Sequence, residues 1–197
     1  MARPRKTNMR QRILDVAGEK FYQFGFSKVS VDELVAELRT SKSMIYRHFS
    51  SKEAIVRALL DHINNEINRK LESVVNDDSR SFSEKLDAIT MFTGQVLSKV
   101  GKPFLDDLRT QTPELWDDYL EMRRQRLDDY YLHLMDRGIK EGVLRHDIDK
   151  EFLLLVYTKL TEIVVNPEQF QHLPVSNPQA YKWISSIFLE GTQKGST

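Results

Sequence analysis

Two serines set the fold of the N-terminal third. Ser30-Val31-Asp32-Glu33 opens one helical pattern and Ser41-Lys42-Ser43-Met44 opens the next, so only a short helix and a tight turn fit between them. In the first, the serine accepts from the N3 amide while the glutamate reaches back to the N-cap amide, which is a capping box. Leu34 and Leu38 carry the apolar face of this helix, Arg39-Thr40 makes the turn, and Ser41 caps a second short helix reaching Phe49. Ser50-Ser51-Lys52-Glu53 reads as a further capping box opening a long helix, with Ile55, Leu59, Ile63, Ile67, Leu71 and Val74 spaced by three or four. Short helix, turn, short helix and long helix are the pattern of a helix-turn-helix, whose second helix enters the major groove of DNA.

Helical periodicity continues through the rest of the chain, and strand alternation persists nowhere. Ile13, Ala17, Phe21 and Phe24 share a face of a first helix that Gly25 ends. Ser81-Phe82-Ser83-Glu84 is a third capping box, and its helix buries Leu86, Ile89, Thr93, Val96 and Val100. A short segment follows around Phe104, Leu105 and Leu108. Thr112-Pro113-Glu114 then starts a helix running to about Lys140, with proline at N1. Asp147 or Asp149 caps a helix that Pro167 stops, and Asn177-Pro178 opens the last one. The expected class is all-α with about nine helices: a helix-turn-helix DNA-binding domain over 1–52, and a larger helical domain over 53–197.

Net charge is zero over 197 residues, but residues 1–60 hold twelve Lys/Arg against six Asp/Glu, leaving an acidic body behind a basic head. Residues 3–12 carry Arg3, Arg5, Lys6, Arg10 and Arg12 with no acid, which suits a polyanion. The absence of cysteine removes disulfides, thiolate metal sites and cysteine nucleophiles. No apolar run approaches the roughly 20 residues that span a bilayer. The start, Met-Ala-Arg-Pro-Arg-Lys, has no apolar stretch behind it and does not read as a secretory signal, so a cytoplasmic protein is expected.

A groove-facing helix is polar outside and apolar only against its own domain. Residues 41–49 fit: Ile45 and Phe49 lie one turn apart and can bury, while Lys42, Ser43, Tyr46 and Arg47 project from the other side. The run Ser30-Val-Asp-Glu-Leu together with Ser41-Lys-Ser-Met-Ile-Tyr46-Arg-His-Phe49-Ser-Ser-Lys52-Glu53 resembles the N-terminal signature of the TetR family of bacterial repressors. The preceding helix ending Phe24-Gly25-Phe26 is similar too. The motif covers about residues 8–60; beyond it the likeness is one of length and helical character. The resemblance implies base-edge contacts near Lys42, Ser43, Met44 and Tyr46, and phosphate contacts by Ser30, Tyr46, Arg47, His48 and Lys52. Double-stranded operator DNA and a small-molecule effector are the implied partners. Two positions depart from the family pattern: Arg39 stands at a turn position that usually holds glycine, and Ser43-Met44 replaces a common glycine-threonine pair.

Residues 82–140 are rich in large apolar groups. Phe92, Phe104, Leu108, Trp116, Tyr119, Met122 and Tyr130 fit either ordinary core or the lining of an effector pocket. One helix-turn-helix reads few base pairs, so a two-fold homodimer is expected. Phe152, Val156, Leu160 and Ile163 form one candidate interface stripe and Ile184, Ile187 and Phe188 another, with Gly191 allowing close approach. The helix over 150–165 is apolar nearly all round, with Leu153, Leu154, Leu155, Val164 and Val165 added, which exceeds one buried face. The five histidines show no metal constellation. His62 and Glu66, four apart, suit helix ion pairing, and no metal or cofactor is expected. No nucleophile elbow, phosphate loop or dinucleotide fingerprint appears, so no enzyme is expected. A helical enzyme would need clustered titratable groups among the aromatics, and an effector-free DNA-binding or adaptor protein would have a filled C-terminal core.

Overall fold

The computed structural model describes residues 8–165 and 172–192. These form α1 (Met9–Phe24), α2 (Val31–Leu38), α3 (Lys42–His48), α4 (Lys52–Val75), α5 (Phe82–Lys99), α6 (Lys102–Gln111), α7 (Pro113–Arg126), a π-helical stretch (Leu127–Tyr131), α8 (Leu132–Lys140), α9 (Lys150–Val165) and α10 (Asn177–Thr192). Because α7, the π stretch and α8 run on without a break, the described residues hold nine separate helices, in the all-α class expected. Pro167 and the side chains of Val164 and Val165 lie outside what is described.

Local chemistry explains most boundaries. Asn8 caps α1 by accepting from the Gln11 amide at 2.9 Å. The Ser81–Glu84 box closes as expected, with the Ser81 amide 2.8 Å from the Glu84 carboxylate. Other caps shift by a residue. Ser51, rather than Ser50, accepts from the Ala54 amide at the head of α4. Of the two candidates at α9 there is no shift: Asp149 is the cap, accepting from the Glu151 and Phe152 amides. Ser176 takes the N-cap place before α10, one residue ahead of Asn177. Thr112 donates its hydroxyl back to the Leu108 carbonyl at the end of α6, so it closes one helix as Pro113 opens the next.

The chain divides into two compact units. One comprises the residues up to Asn64 together with Val100–Tyr119; the other comprises Asn65–Lys99 and the residues from Leu120 on. In the first unit, Ile13, Leu14, Ala17, Phe21, Leu34, Leu38, Ile45, Ile55, Leu59, Phe104 and Leu108 are buried. Phe24, the last residue of α1, is 48% exposed although the helical period places it beside Ile13 and Ala17. Helix α6 is held on the end of α1 by an aromatic cluster, with Phe104 edge-on to Tyr22 at 5.1 Å and to Phe26 at 5.9 Å. Asp107 fastens the same junction by accepting from the Ser27 amide at 2.7 Å and its hydroxyl at 2.9 Å. Gly25, at φ +84, leaves room for this carboxylate, which a Cβ there would meet at 2.6 Å.

The second unit packs the end of α4 (Ile67, Leu71, Val74) with α5, α8, α9 and α10. Gly94 of α5 lets the Tyr181 ring of α10 lie against bare backbone; a Cβ would meet that ring at 2.5 Å. Lys85 is completely buried, and its ammonium donates to the Val75 carbonyl at 2.6 Å, satisfying an end-carbonyl of α4. The hydroxyls of Thr90 and Tyr157 meet at 2.6 Å in the interior. The π stretch has a clear effect on phase. Continuing the α7 pattern of Leu115, Tyr119 and Arg126 at 3.6 residues per turn would bury Tyr130 next. The wider turn hands that place to Tyr131, followed by Leu134 and Met135.

Candidate nucleic-acid interface

The interface is built on three consecutive helix starts. At α2 the Ser30 hydroxyl accepts from the Glu33 amide at 3.2 Å, and the Ser30 amide donates to the Glu33 carboxylate at 3.0 Å. These bonds from the Ser30 amide and hydroxyl hold the Glu33 carboxyl below the usual carboxylate range. The helix ends with Arg39 in the left-handed conformation, φ 50 and ψ 52. The Arg39 amide bonds to Ala36 O and the Thr40 amide to Val35 O, a Schellman closure.

Ser41 then caps α3, accepting from the Met44 amide at 3.2 Å. Its hydroxyl also lies 2.9 Å from that of Ser43. Ile45 and Phe49 are buried, as their spacing predicts. Lys42, Ser43, Tyr46, Arg47 and His48 are exposed and Met44 is half-buried. Tyr46 is 47% exposed, far more than a tyrosine packed into its own core.

Two contacts draw residues from other helices to the start of α2. The Lys42 ammonium sits 2.9 Å from Asp32, whose hydrogen bond raises the lysine pKa. The Lys52 ammonium, from the first turn of α4, lies 3.4 Å from the Val29 carbonyl. Ser30, Lys42 and Lys52 therefore meet around one helix N-terminus, where free amides and the helix dipole favour a phosphate. Arg3, Arg5 and Lys6 lie outside the described residues. The structure adds Arg10, whose guanidinium stacks over the Phe49 ring at 5.0 Å. Its signal in the sequence was its place in the basic run; the ring it stacks on is a long-range partner.

The residues considered for effector binding fall in both units. Phe104 and Leu108 are wholly buried in the first unit, where α6 packs on α1, and Trp116 and Tyr119 stack there at 5.4 Å. Phe92, Met122 and Tyr130 belong to the second unit and are half-buried. The Lys70 ammonium stands 5.8 Å from the Phe92 ring. Tyr131 is the buried tyrosine of the pair Tyr130–Tyr131, and burial raises its pKa. The first unit also has a cleft of about 730 Å³ between the start of α4 (Ser50 to Arg57) and the corner of α6 and α7 (Gln111 to Leu115).

The two stripes considered for dimerisation each divide. Phe152, Ile163 and Ile187 are exposed at 57%, 37% and 62%, and Leu155 and Trp183 join them. Val156 and Leu160 are half-buried. Ile184 and Phe188 are turned inward: Phe188 lies edge-on to Tyr157 at 5.3 Å, and Ile184 packs with Tyr181 beside Leu160. They form core of their own unit because α10 needs that face to cover α5 and α9. Gly191 has open space where its Cβ would be.

Among the described residues no helix is long and apolar enough to cross a membrane, and no group of three or more His, Cys, Asp or Glu is placed to hold a metal ion.

Residues 13–59 match the model of the bacterial regulatory proteins of the tetR family. The chain is 24% identical over 163 residues to the HTH-type transcriptional repressor KstR2 of Rhodococcus jostii, covering 74% of this chain and 72% of that protein. It is 25% identical over 121 residues to the A-factor receptor protein of Streptomyces griseus, covering 59% of this chain and 42% of that protein. In fold it is similar to the ketosteroid transcriptional regulator KstR2 of Mycobacterium tuberculosis, with TM-score 0.68 and 19% identity, covering 96% and 97% of the two chains. It is likewise similar to the regulator PfmR of Thermus thermophilus, with TM-score 0.71 and 19% identity, covering 93% and 100%. The capped short helices at residues 30–49 lie inside the stretch that matches the tetR family of bacterial regulatory proteins, and the fold of the chain is similar to that of the regulators KstR2 and PfmR.

Proposed function

We propose that this regulator is a cytoplasmic homodimeric repressor that binds a two-fold operator and leaves it when a small molecule binds. It acts by binding and not by catalysis. Residues 1–52 serve as the DNA-binding domain and 53–197 as the effector-binding and dimerisation domain. The observation that carries the reading is the meeting of Ser30, Lys42 and Lys52 at the start of α2, next to the exposed face of α3 with Tyr46 and Arg47. Phosphates meet Ser30, Lys52 and Tyr46, and base edges meet Lys42, Ser43, Met44 and Tyr46. The arm residues Arg3, Arg5 and Lys6 add phosphate contacts, as do Arg47 and His48.

The dimer is formed through the exposed apolar residues of α9 and α10, Phe152, Ile163 and Ile187, with Val156 and Leu160 at the margin. The effector is an apolar or aromatic molecule held near Phe92, Met122 and Tyr130. Its binding weakens DNA binding, and DNA weakens effector binding by the same factor. Helix α4 carries residues of both compact units and is the proposed lever.

The experiment is selection of a binding site from random duplex DNA, followed by mobility shift of wild type and Tyr46→Ala. An enriched two-fold sequence is expected, with Tyr46→Ala weaker on it by about 1–3 kcal/mol. No enrichment over background would refute specific regulation.

A further inference from the structure

Arg39 is the one residue other than glycine with positive φ among the described residues. Its Schellman closure is a position where glycine is favoured, and a side chain there costs on the order of 1 kcal/mol. The conformation is needed, because the turn must bring α3 round directly after α2. The side chain is not needed for it. Arginine at this position is therefore a local cost to stability, and such outliers point to function when the side chain gains nothing within the fold.

The surrounding charges support this. Helix α2 has three acids, and each is committed elsewhere. Asp32 pairs with Lys42 at 2.9 Å, Glu33 closes the Ser30 box, and Glu37 pairs with Lys20 at 3.2 Å. Among the described residues the exposed Arg39 guanidinium meets no carboxylate. It stands two residues before the cap of α3, in the turn between the two helices that address DNA. A long cation on a rigid, strained turn, with the nearby acids neutralised, is suited to a polyanion.

We infer that Arg39 is a phosphate-contacting residue of the DNA complex, retained at the expense of fold stability. This rests on the reading of α2 and α3 as the DNA-contacting pair. The contact is to the backbone, so it adds affinity without sequence preference. One phosphate contact contributes about 0.9 to the slope of log K against log salt, or roughly fivefold in affinity per bound protomer at 0.15 M.

The test uses the full-length protein with Arg39→Gly and Arg39→Lys, on the selected operator and on a scrambled duplex, across a salt series, with a thermal melt of each variant. Arg39→Gly is expected to melt at or above the wild-type temperature. It should lose roughly fivefold per protomer on both duplexes, with the salt slope reduced by about one per protomer. Arg39→Lys should keep most of the affinity and the slope. Arg39→Gly with wild-type affinity and slope would overturn the inference. So would a loss of affinity accompanied by a lower melting temperature, which would make the side chain structural. A wild type that selects no sequence would instead remove the proposed regulatory function. The slope on the scrambled duplex would then still decide the role of Arg39.

Discussion

Replacing Phe104 with alanine tests whether α6 is part of the DNA-reading unit or a wall of an effector site. The ring is fully buried and makes two edge contacts, to Tyr22 at 5.1 Å and Phe26 at 5.9 Å. Truncating a buried phenylalanine costs about 3–5 kcal/mol, including the cavity left behind. The Asp107 clasp on Ser27 limits how far α6 can settle to fill that cavity, so a value near 4 kcal/mol is expected. For a unit of this size each kcal/mol lowers the midpoint by about 4–8 °C, which gives a fall of about 15–30 °C.

The chain has two tryptophans, Trp116 in the first unit and Trp183 in the second. In a Trp183→Phe background, Trp116 fluorescence therefore reports the first unit alone. Urea unfolding followed by this signal, with and without Phe104→Ala, measures the loss directly. A loss below about 1.5 kcal/mol, the size of a mild core change, would show that the ring is not a structural keystone of this unit. An unchanged midpoint with altered effector affinity would assign Phe104 to a binding cavity.

Ile187 and Phe188 are neighbours with opposite roles, 62% and 2% exposed. Ile187→Glu should give a folded monomer by light scattering and circular dichroism, whereas Phe188→Glu should fail to fold, since an unpaired buried charge costs several kcal/mol; a dimeric Ile187→Glu protein would remove this interface. Ser30→Ala deletes an N-cap and should cost about 1 kcal/mol in the urea midpoint of the first unit while also weakening DNA binding, and unchanged stability would contradict the capping geometry. Hydrogen bonds from Ser79 and Arg80 hold the Asp77 pKa at about 2. A carboxyl lowered on folding stabilises above its unfolded pKa of about 3.9 and loses that contribution as pH falls. Asp77→Asn should therefore melt below wild type at pH 6, with the gap closing between about pH 4 and pH 2; an equal gap at both ends would refute the assignment.

What could be read from the sequence was what neighbours in the chain decide. The Ser30 and Ser41 caps, the burial of Ile45 and Phe49, and the exposure of Tyr46 and Arg47 all follow from residues within a few places of each other. The errors arose where distant residues decide. Nothing local to Phe104 shows that Tyr22 and Phe26 await it, so the sequence leaves core and pocket open there. The π stretch cannot be seen in a hydrophobic pattern that contains both Tyr130 and Tyr131. A strict 3.6 period prefers the wrong one. On α10 the apolar stripe is wide enough to hold both core and surface, and only packing against Tyr157 and Tyr181 separates Phe188 and Ile184 from Ile187. Ser51 displaced Ser50 as cap because both positions satisfy the pattern and the helix starts one residue later.

The inclusion of Val100–Tyr119 in the first unit bears on how such regulators can be recombined. A splice that ends the reading head after α3 or within α4 would leave Tyr22 and Phe26 without the ring that covers them, and Ser27 without its acceptor. The head is therefore not a portable cassette. A chimera that moves the DNA specificity of this protein onto a foreign sensor must carry two separated stretches of sequence. Alternatively, the recipient's own α6 must offer an aromatic and a carboxylate at matching positions. Grafts restricted to the exposed residues of α3 avoid this requirement, because they leave the seam between α1 and α6 intact.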